Sequence, residues 1–147
     1  GPRVKGRLDR LAAAGHTRAM SEWVRTLIVG AGGFLGATLR YTVGGLVSRA
    51  LPPDFPWATF LVNVSGCFVI GLLAVFTEER GPVAPSTRLF LMVGVLGGYT
   101  TFSTFGYETL SLVREGSHGL AAANAVGQVL LGLAAVWAGM AVARGLA

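Results

Sequence analysis

Four apolar stretches alternate with short polar ones along this chain. The first runs from about Val24 to Val47, the second from Trp57 to Phe76, the third from Arg88 to Leu112 and the fourth from Gly119 to Ala143. Each reaches the length of about 20 mostly apolar residues that a helix needs to cross a bilayer. The pattern predicts an all-α membrane protein with four transmembrane helices per protomer. Leu51-Pro52-Pro53-Asp54-Phe55-Pro56 reads as a loop by its prolines. Glu78 to Ser86 is the second polar loop, and Arg114 to His118 the third.

The third stretch is wrong for a simple span. Its middle reads Gly97-Gly98-Tyr99-Thr100-Thr101-Phe102-Ser103-Thr104-Phe105. Two adjacent glycines weaken a helix by about 1 kcal/mol each, and the hydroxyls that follow compete for backbone hydrogen bonds. This predicts a helix broken at membrane depth. Bare backbone there is tolerated only when buried in protein or lining an aqueous cavity, and free carbonyls in such a break are ready ligands for a small cation. The alternative, that Gly, Ser and Thr only let helices pack closely, fits Gly32 and Gly36 of the first stretch better.

Composition agrees with the pattern. Of 147 residues, 52% are hydrophobic and 13% charged, about half the charged share of a soluble domain. The net charge of +5 is uneven: Arg3, Lys5, Arg7, Arg10 and Arg18 all precede Met20. Such an arm binds nucleic acid or anionic lipid in some proteins. Here Gly1-Pro2 has the look of a protease-cleavage remnant and Met20 reads as the native start. Residues 1–19 are therefore set apart from the four-helix domain, residues 20–147. Cys67 is the only cysteine, and His16 and His118 are far apart, so no disulfide or Cys/His metal site is expected. No nucleophile–base pair or phosphate loop points to an enzyme. Gly30-Ala31-Gly32-Gly33 only resembles a nucleotide loop and reads as a packing face.

Four spans put both termini on one side. The short flanks there carry Arg25, Arg80, Arg88 and Arg144, against Arg49 and Arg114 on the other. So weak a bias suits a protein that inserts in both orientations, whereas counting the five basic residues of the arm as native gives nine against two and favours a fixed orientation. At about 1.5 Å per residue, Thr100 falls about 18 Å into the third span, near the midplane. Asn63, Phe102, Asn124 and Gln128 cluster in one half of the membrane, about 7–13 Å from the far side. An antiparallel partner would complete the other half.

Neutral donors can replace part of a small anion's hydration shell without trapping it. Asn63 carries two N–H donors, and Ser103 and Thr104 one hydroxyl each. Phe102 and Phe105, three apart, could present positive ring edges. By spacing alone, core packing explains the two phenylalanines better than a pore does, and a helix–helix hydrogen bond explains Asn63 as well as a pore does. Arg40 is the one deep charge of the first span and a functional candidate by its cost. Its depth matches Glu108, which predicts an Arg40–Glu108 pair joining the first and third spans.

The 97–105 segment resembles the signature of the Fluc (CrcB) fluoride channels. Gly33-Phe34-Leu35-Gly36-Ala37-Thr38-Leu39-Arg40-Tyr41 and Thr59-Phe60-Leu61-Val62-Asn63-Val64-Ser65-Gly66-Cys67-Phe68 are similar to that family's first-helix and second-helix motifs. The resemblance covers residues 21–143. It implies an antiparallel, dual-topology homodimer in the bacterial inner membrane. It also implies passive, selective fluoride efflux that protects the cell from fluoride. By motif position, Asn63, Phe102 and Phe105 would line the fluoride path, with Ser103 and Thr104 in a polar track. Backbone carbonyls of Gly97 and Thr100 from both protomers would hold a structural sodium ion at the dimer centre. A paralogous heterodimer is a variant of the same reading. The chain departs from the pattern at Ala58, where glycine is usual. It departs again at Asn124 and Gln128, where small hydroxyl or aromatic polar residues are common. Gln128 is placed with the expected pore residues all the same.

Two other classes compete. A small multidrug-type antiporter also has four short spans in an antiparallel dimer, but it needs a carboxylate in its first span, where this chain has Arg40. A noncatalytic scaffold subunit fits the composition and leaves the 97–105 break without a reason.

Overall fold

The computed structural model describes residues 2–79 and 83–146, with side chains from Glu22 onward. The side chains of the basic arm, and Arg80-Gly81-Pro82 of the second loop, lie outside the described residues. All regular structure among the described residues is helical. Helix α1 covers Pro2–Ala50, α2 Trp57–Ala74, α3 Pro85–Arg88, α4 Gly97–Tyr99, α5 Phe102–Arg114 and α6 His118–Gly145. A wide-turned π segment, Val75–Glu79, extends α2, and another, Leu89–Leu96, joins α3 to α4.

Three helical runs are long and apolar enough to cross a membrane: Trp57–Glu79, Pro85–Arg114 and His118–Gly145. They extend the second, third and fourth expected spans by one to three residues at most ends. The segment expected as the first span lies within α1, where Arg25, Arg40 and six glycines dilute its apolar character. The protein is thus an all-helical membrane protein with at least three apolar runs.

Glycine sets the closest crossings. A Cβ on Gly36 would collide with the carbonyl oxygen of Val95, and one on Gly32 would lie 2.5 Å from that of Phe90. The Gly32/Gly36 face therefore seats α1 on the Leu89–Leu96 segment. Gly71 against Val136, and Gly139 against Phe68, do the same for α2 and α6. Backbone approach of this kind gains van der Waals contact where lipid supplies no hydrophobic drive between helices. The core is small: Val62, Val75, Leu96, Tyr99 and Leu112 are buried. Phe34, Tyr41, Phe102 and Trp137 stand mostly exposed on the protomer, as suits a surface facing lipid or a second subunit.

Candidate functional site

The third run is interrupted at Thr100 and Thr101, whose backbone is extended (φ −82°, ψ 157° and φ −150°, ψ 115°). Two side chains hold it so. Asn63, from α2, accepts from Thr101 N–H through Oδ1 (2.8 Å) and donates through Nδ2 to the Thr101 carbonyl (3.0 Å). It matches both backbone groups of one residue, as a neighbouring strand would. Thr101 Oγ1 in turn accepts from Thr104 N–H (3.2 Å), capping α5. In an unbroken α-helix those two N–H groups would go to the carbonyls of Gly97 and Thr100. Their diversion leaves both carbonyls without their helical donors. Neutral backbone oxygens at a helix break suit a small hard cation, and no acidic, His or Cys cluster among the described residues offers an alternative. Gly97 is exposed, with open space around the position a Cβ would take.

The break opens onto a cavity of about 300 Å³. Asn63, Thr100, Thr101, Phe102, Phe105 and Gln128 line it, with Ile70 and Val129 on its apolar wall and Cys67 beside them. The Phe102 and Phe105 rings meet at 5.3 Å and 52°. Gly66 admits Thr100, whose Cγ2 lies where a Cβ would be. Every polar group on the wall is a neutral amide, hydroxyl, thiol or backbone group. Such a lining can offer donors and ring edges to a small anion without the deep well a fixed cation would create.

Gln128 connects this cavity to α5. It accepts from Asn63 Nδ2 (2.8 Å) and donates to Asn124 Oδ1 (3.0 Å). Asn124, fully buried, donates to Thr109 Oγ1 (2.8 Å). The i,i+4 spacing of Asn124 and Gln128 thus becomes a direct bond.

The structure brings together Asn63, Phe102, Phe105 and Gln128, and sets Ser103 and Thr104 apart. Ser103 is exposed, and Thr104 lines a separate cavity of about 290 Å³ with Arg40, Tyr41 and Thr59. The cause is helical register: residues 102 and 105 share a face that 103 and 104 do not.

The expected Arg40–Glu108 pair is not formed. Glu108 Oε1 accepts from Thr59 Oγ1 (2.8 Å), and its Oε2 is buried without a hydrogen-bond partner. Ion pairs lie instead at the other end of the bundle, Arg88–Glu78 and Arg144–Glu79. Matching depth put Arg40 and Glu108 at one level, but depth says nothing of azimuth, and Glu108 turns toward α2. Arg40 instead lines the Thr104 cavity and a neighbouring one with Tyr41 and Arg49.

Thr59 and Thr109 were not singled out from the sequence. A register signal was present: Thr59 lies four before Asn63, and Thr109 four after Phe105, so each continues a face already marked. Tyr99, whose hydroxyl meets Ser65 Oγ at 3.0 Å, ties the last turn before the break to α2 in the same way.

Comparison with known proteins gives a consistent result. The profile of a family described as "CrcB-like protein, Camphor Resistance (CrcB)" matches residues 27–140. A protein of Nitrobacter hamburgensis named fluoride-specific ion channel FluC 2 is 49% identical over 120 residues, 82% of this chain and 97% of that protein. The fluoride-specific ion channel FluC of Rhodospirillum rubrum is 50% identical over 115 residues, 77% of this chain and 89% of that protein. The fluoride-specific ion channel FluC 3 of Methanosarcina barkeri is 43% identical, covering 82% of this chain and 90% of its own.

Proposed function

This chain belongs to the CrcB-like family, and from that premise we propose that it is a fluoride-selective channel. It is not an enzyme. It lets fluoride leave the cytoplasm passively and so confers resistance to fluoride. The observation that carries the reading is the uncharged cavity at the helix break, where Asn63 and Gln128 meet the Phe102–Phe105 pair. Amide N–H groups and ring edges can stand in for water around a small, strongly hydrated anion and still release it.

The finer architecture belongs to the same proposal. Residues 24–47 of α1 form a fourth span beside the three apolar runs. The third span breaks near the midplane. Two protomers assemble antiparallel, each inserting in either orientation, in the bacterial inner membrane. Two features support this: the weak bias of basic residues between the two sides once residues 1–19 are set apart, and the apolar surface left uncovered on one protomer. A structural sodium ion at the dimer centre would be held by the Gly97 and Thr100 carbonyls. It would supply fixed positive charge between two protomers whose carbonyls otherwise repel. The loss of helical donors at both positions supports that assignment.

The antiporter reading gains nothing from the structure, since α1 presents Arg40 at depth. The test is ion efflux from liposomes holding the purified protein, read with fluoride and chloride electrodes and a potassium ionophore to release the membrane potential. Fluoride loss without chloride loss is the expected result. Retention of fluoride by a well-folded dimer would sink the reading of this chain as a channel by itself and point to a missing heteromeric partner or, failing that, to a scaffold role.

A further inference from the structure

Five hydrogen bonds run head to tail from the break at Thr101 to the second turn of α5. Thr101 N–H donates to Asn63 Oδ1, Asn63 Nδ2 to Gln128 Oε1 and Gln128 Nε2 to Asn124 Oδ1; then Asn124 Nδ2 donates to Thr109 Oγ1 and Thr109 Oγ1 to the Phe105 carbonyl. Amide oxygen and nitrogen are alike in shape, so the orientation of a single Asn or Gln is always an assignment. Here one end decides it. Thr101 N–H can only donate and the Thr101 carbonyl can only accept, and both face Asn63. Turning any one amide over would set oxygen against oxygen or N–H against N–H. The direction of the whole chain is therefore fixed from Thr101, whose N–H and carbonyl together admit one orientation of Asn63.

Counting donors along it separates the two amides that line the cavity. Each amide has two N–H groups. Asn63 uses both, one on the Thr101 carbonyl and one on Gln128. Gln128 uses one, on Asn124, and its second has no acceptor among the described residues. Asn124 also has a second N–H, but it is fully buried and off the cavity wall. We infer that Gln128, rather than Asn63, presents the side-chain amide N–H that meets the anion in this cavity. Asn63 is a positioning residue: it holds the extended turn at Thr101 and orients Gln128. The ligand is a small, hard, singly charged anion. The inference rests on the fluoride-channel reading and assigns its donor.

The experiment compares Gln128→Met and Gln128→Ser with the unsubstituted protein in the same liposomes, following initial flux against internal fluoride concentration. Methionine keeps the length of glutamine and has no donor. It should raise the half-saturating fluoride concentration by about tenfold or more, the scale of one hydrogen bond to a charged group. Serine restores a donor without the bond to Asn63 and should bring that concentration back toward the original. A purely bracing role would lower assembly and maximal flux together and leave half-saturation unmoved. An unchanged half-saturation in Gln128→Met, or Ser indistinguishable from Met, overturns the inference. If Gln128→Met does not fold, Gln128→Ser against Gln128→Ala makes the same comparison, and equality of those two overturns it. Absence of fluoride flux from the unsubstituted protein would instead overturn the channel reading on which the inference stands.

Discussion

Thr59 Oγ1 donates a 2.8 Å hydrogen bond to Glu108 Oε1, and Oε2 of the same carboxyl is buried with no partner. Among the described residues that hydroxyl is the sole hydrogen-bond partner of this acid. Removing it strands both oxygens. Thr59→Val, close in shape, should destabilise the folded protein by about 1–3 kcal/mol, the cost of leaving a buried polar group unmade. Glu108→Gln keeps an acceptor for Thr59 and replaces a carboxyl with a neutral amide, which is cheaper to bury incompletely. Thermal melts in detergent should rank Thr59→Val well below Glu108→Gln. Equal melting of Thr59→Val and the parent would show the contact to be idle.

The glycines divide sharply by what surrounds them. At Gly36 a Cβ would occupy the place of the Val95 carbonyl, whereas at Gly30 it would meet nothing within 4 Å. Gly36→Ala must separate α1 from the Leu89–Leu96 segment and should cost about 1–3 kcal/mol or more, as overpacking does. Gly30→Ala should be neutral or stabilising by up to about 1 kcal/mol from helix propensity. A melting temperature that falls as far for Gly30→Ala as for Gly36→Ala would contradict the crossing described.

Phe102 is 83% exposed on the protomer and yet stacks on Phe105 at the cavity. An exposed aromatic is cheap to replace for folding, so a functional effect at this position is separable from a structural one. Phe102→Ile should leave melting and assembly unchanged while cutting fluoride flux about tenfold, the worth of an aromatic edge contact of about 1.4 kcal/mol. Parental flux in this variant would remove Phe102 from the path.

How much of this was legible beforehand follows from what periodicity can carry. The break was legible because two glycines and a run of hydroxyls are local signals, and Thr100 and Thr101 are indeed extended. The meeting of Asn63 with the 97–105 segment was reachable from depth, which rise per residue supplies. Azimuth is not supplied by depth. Hence Arg40 and Glu108, expected at one level, do not pair: Glu108 takes the hydroxyl of Thr59, which also lines the cavity Arg40 borders, and Thr104 lies on that side rather than with Phe102. The direction of the amide chain through Gln128 could not be read from sequence, since it is set by which backbone groups lose their helical partners.

The last prediction joins the amides to the cation. Gly97 O lacks its helical donor because Thr101 N–H goes to Asn63, and Thr100 O lacks its own because Thr104 N–H goes to Thr101 Oγ1. If those carbonyls hold sodium, side chains that never touch the ion govern its affinity. Asn63→Ala frees Thr101 N–H to return to Gly97 O, and Thr101→Val frees Thr104 N–H to return to Thr100 O. Either return occupies an oxygen the cation needs. An ion that binds only the assembled state stabilises it in proportion to the logarithm of its concentration over its dissociation constant. The unsubstituted protein should therefore melt higher in sodium than in a large organic cation at equal ionic strength. That difference should shrink in Asn63→Ala and in Thr101→Val but persist in Phe102→Ile, which touches neither donor. Asn63→Ala should also lose fluoride flux, because Gln128 loses the group that orients it. A sodium-dependent shift of undiminished size in both backbone-releasing variants would place the cation elsewhere, whatever the fluoride flux.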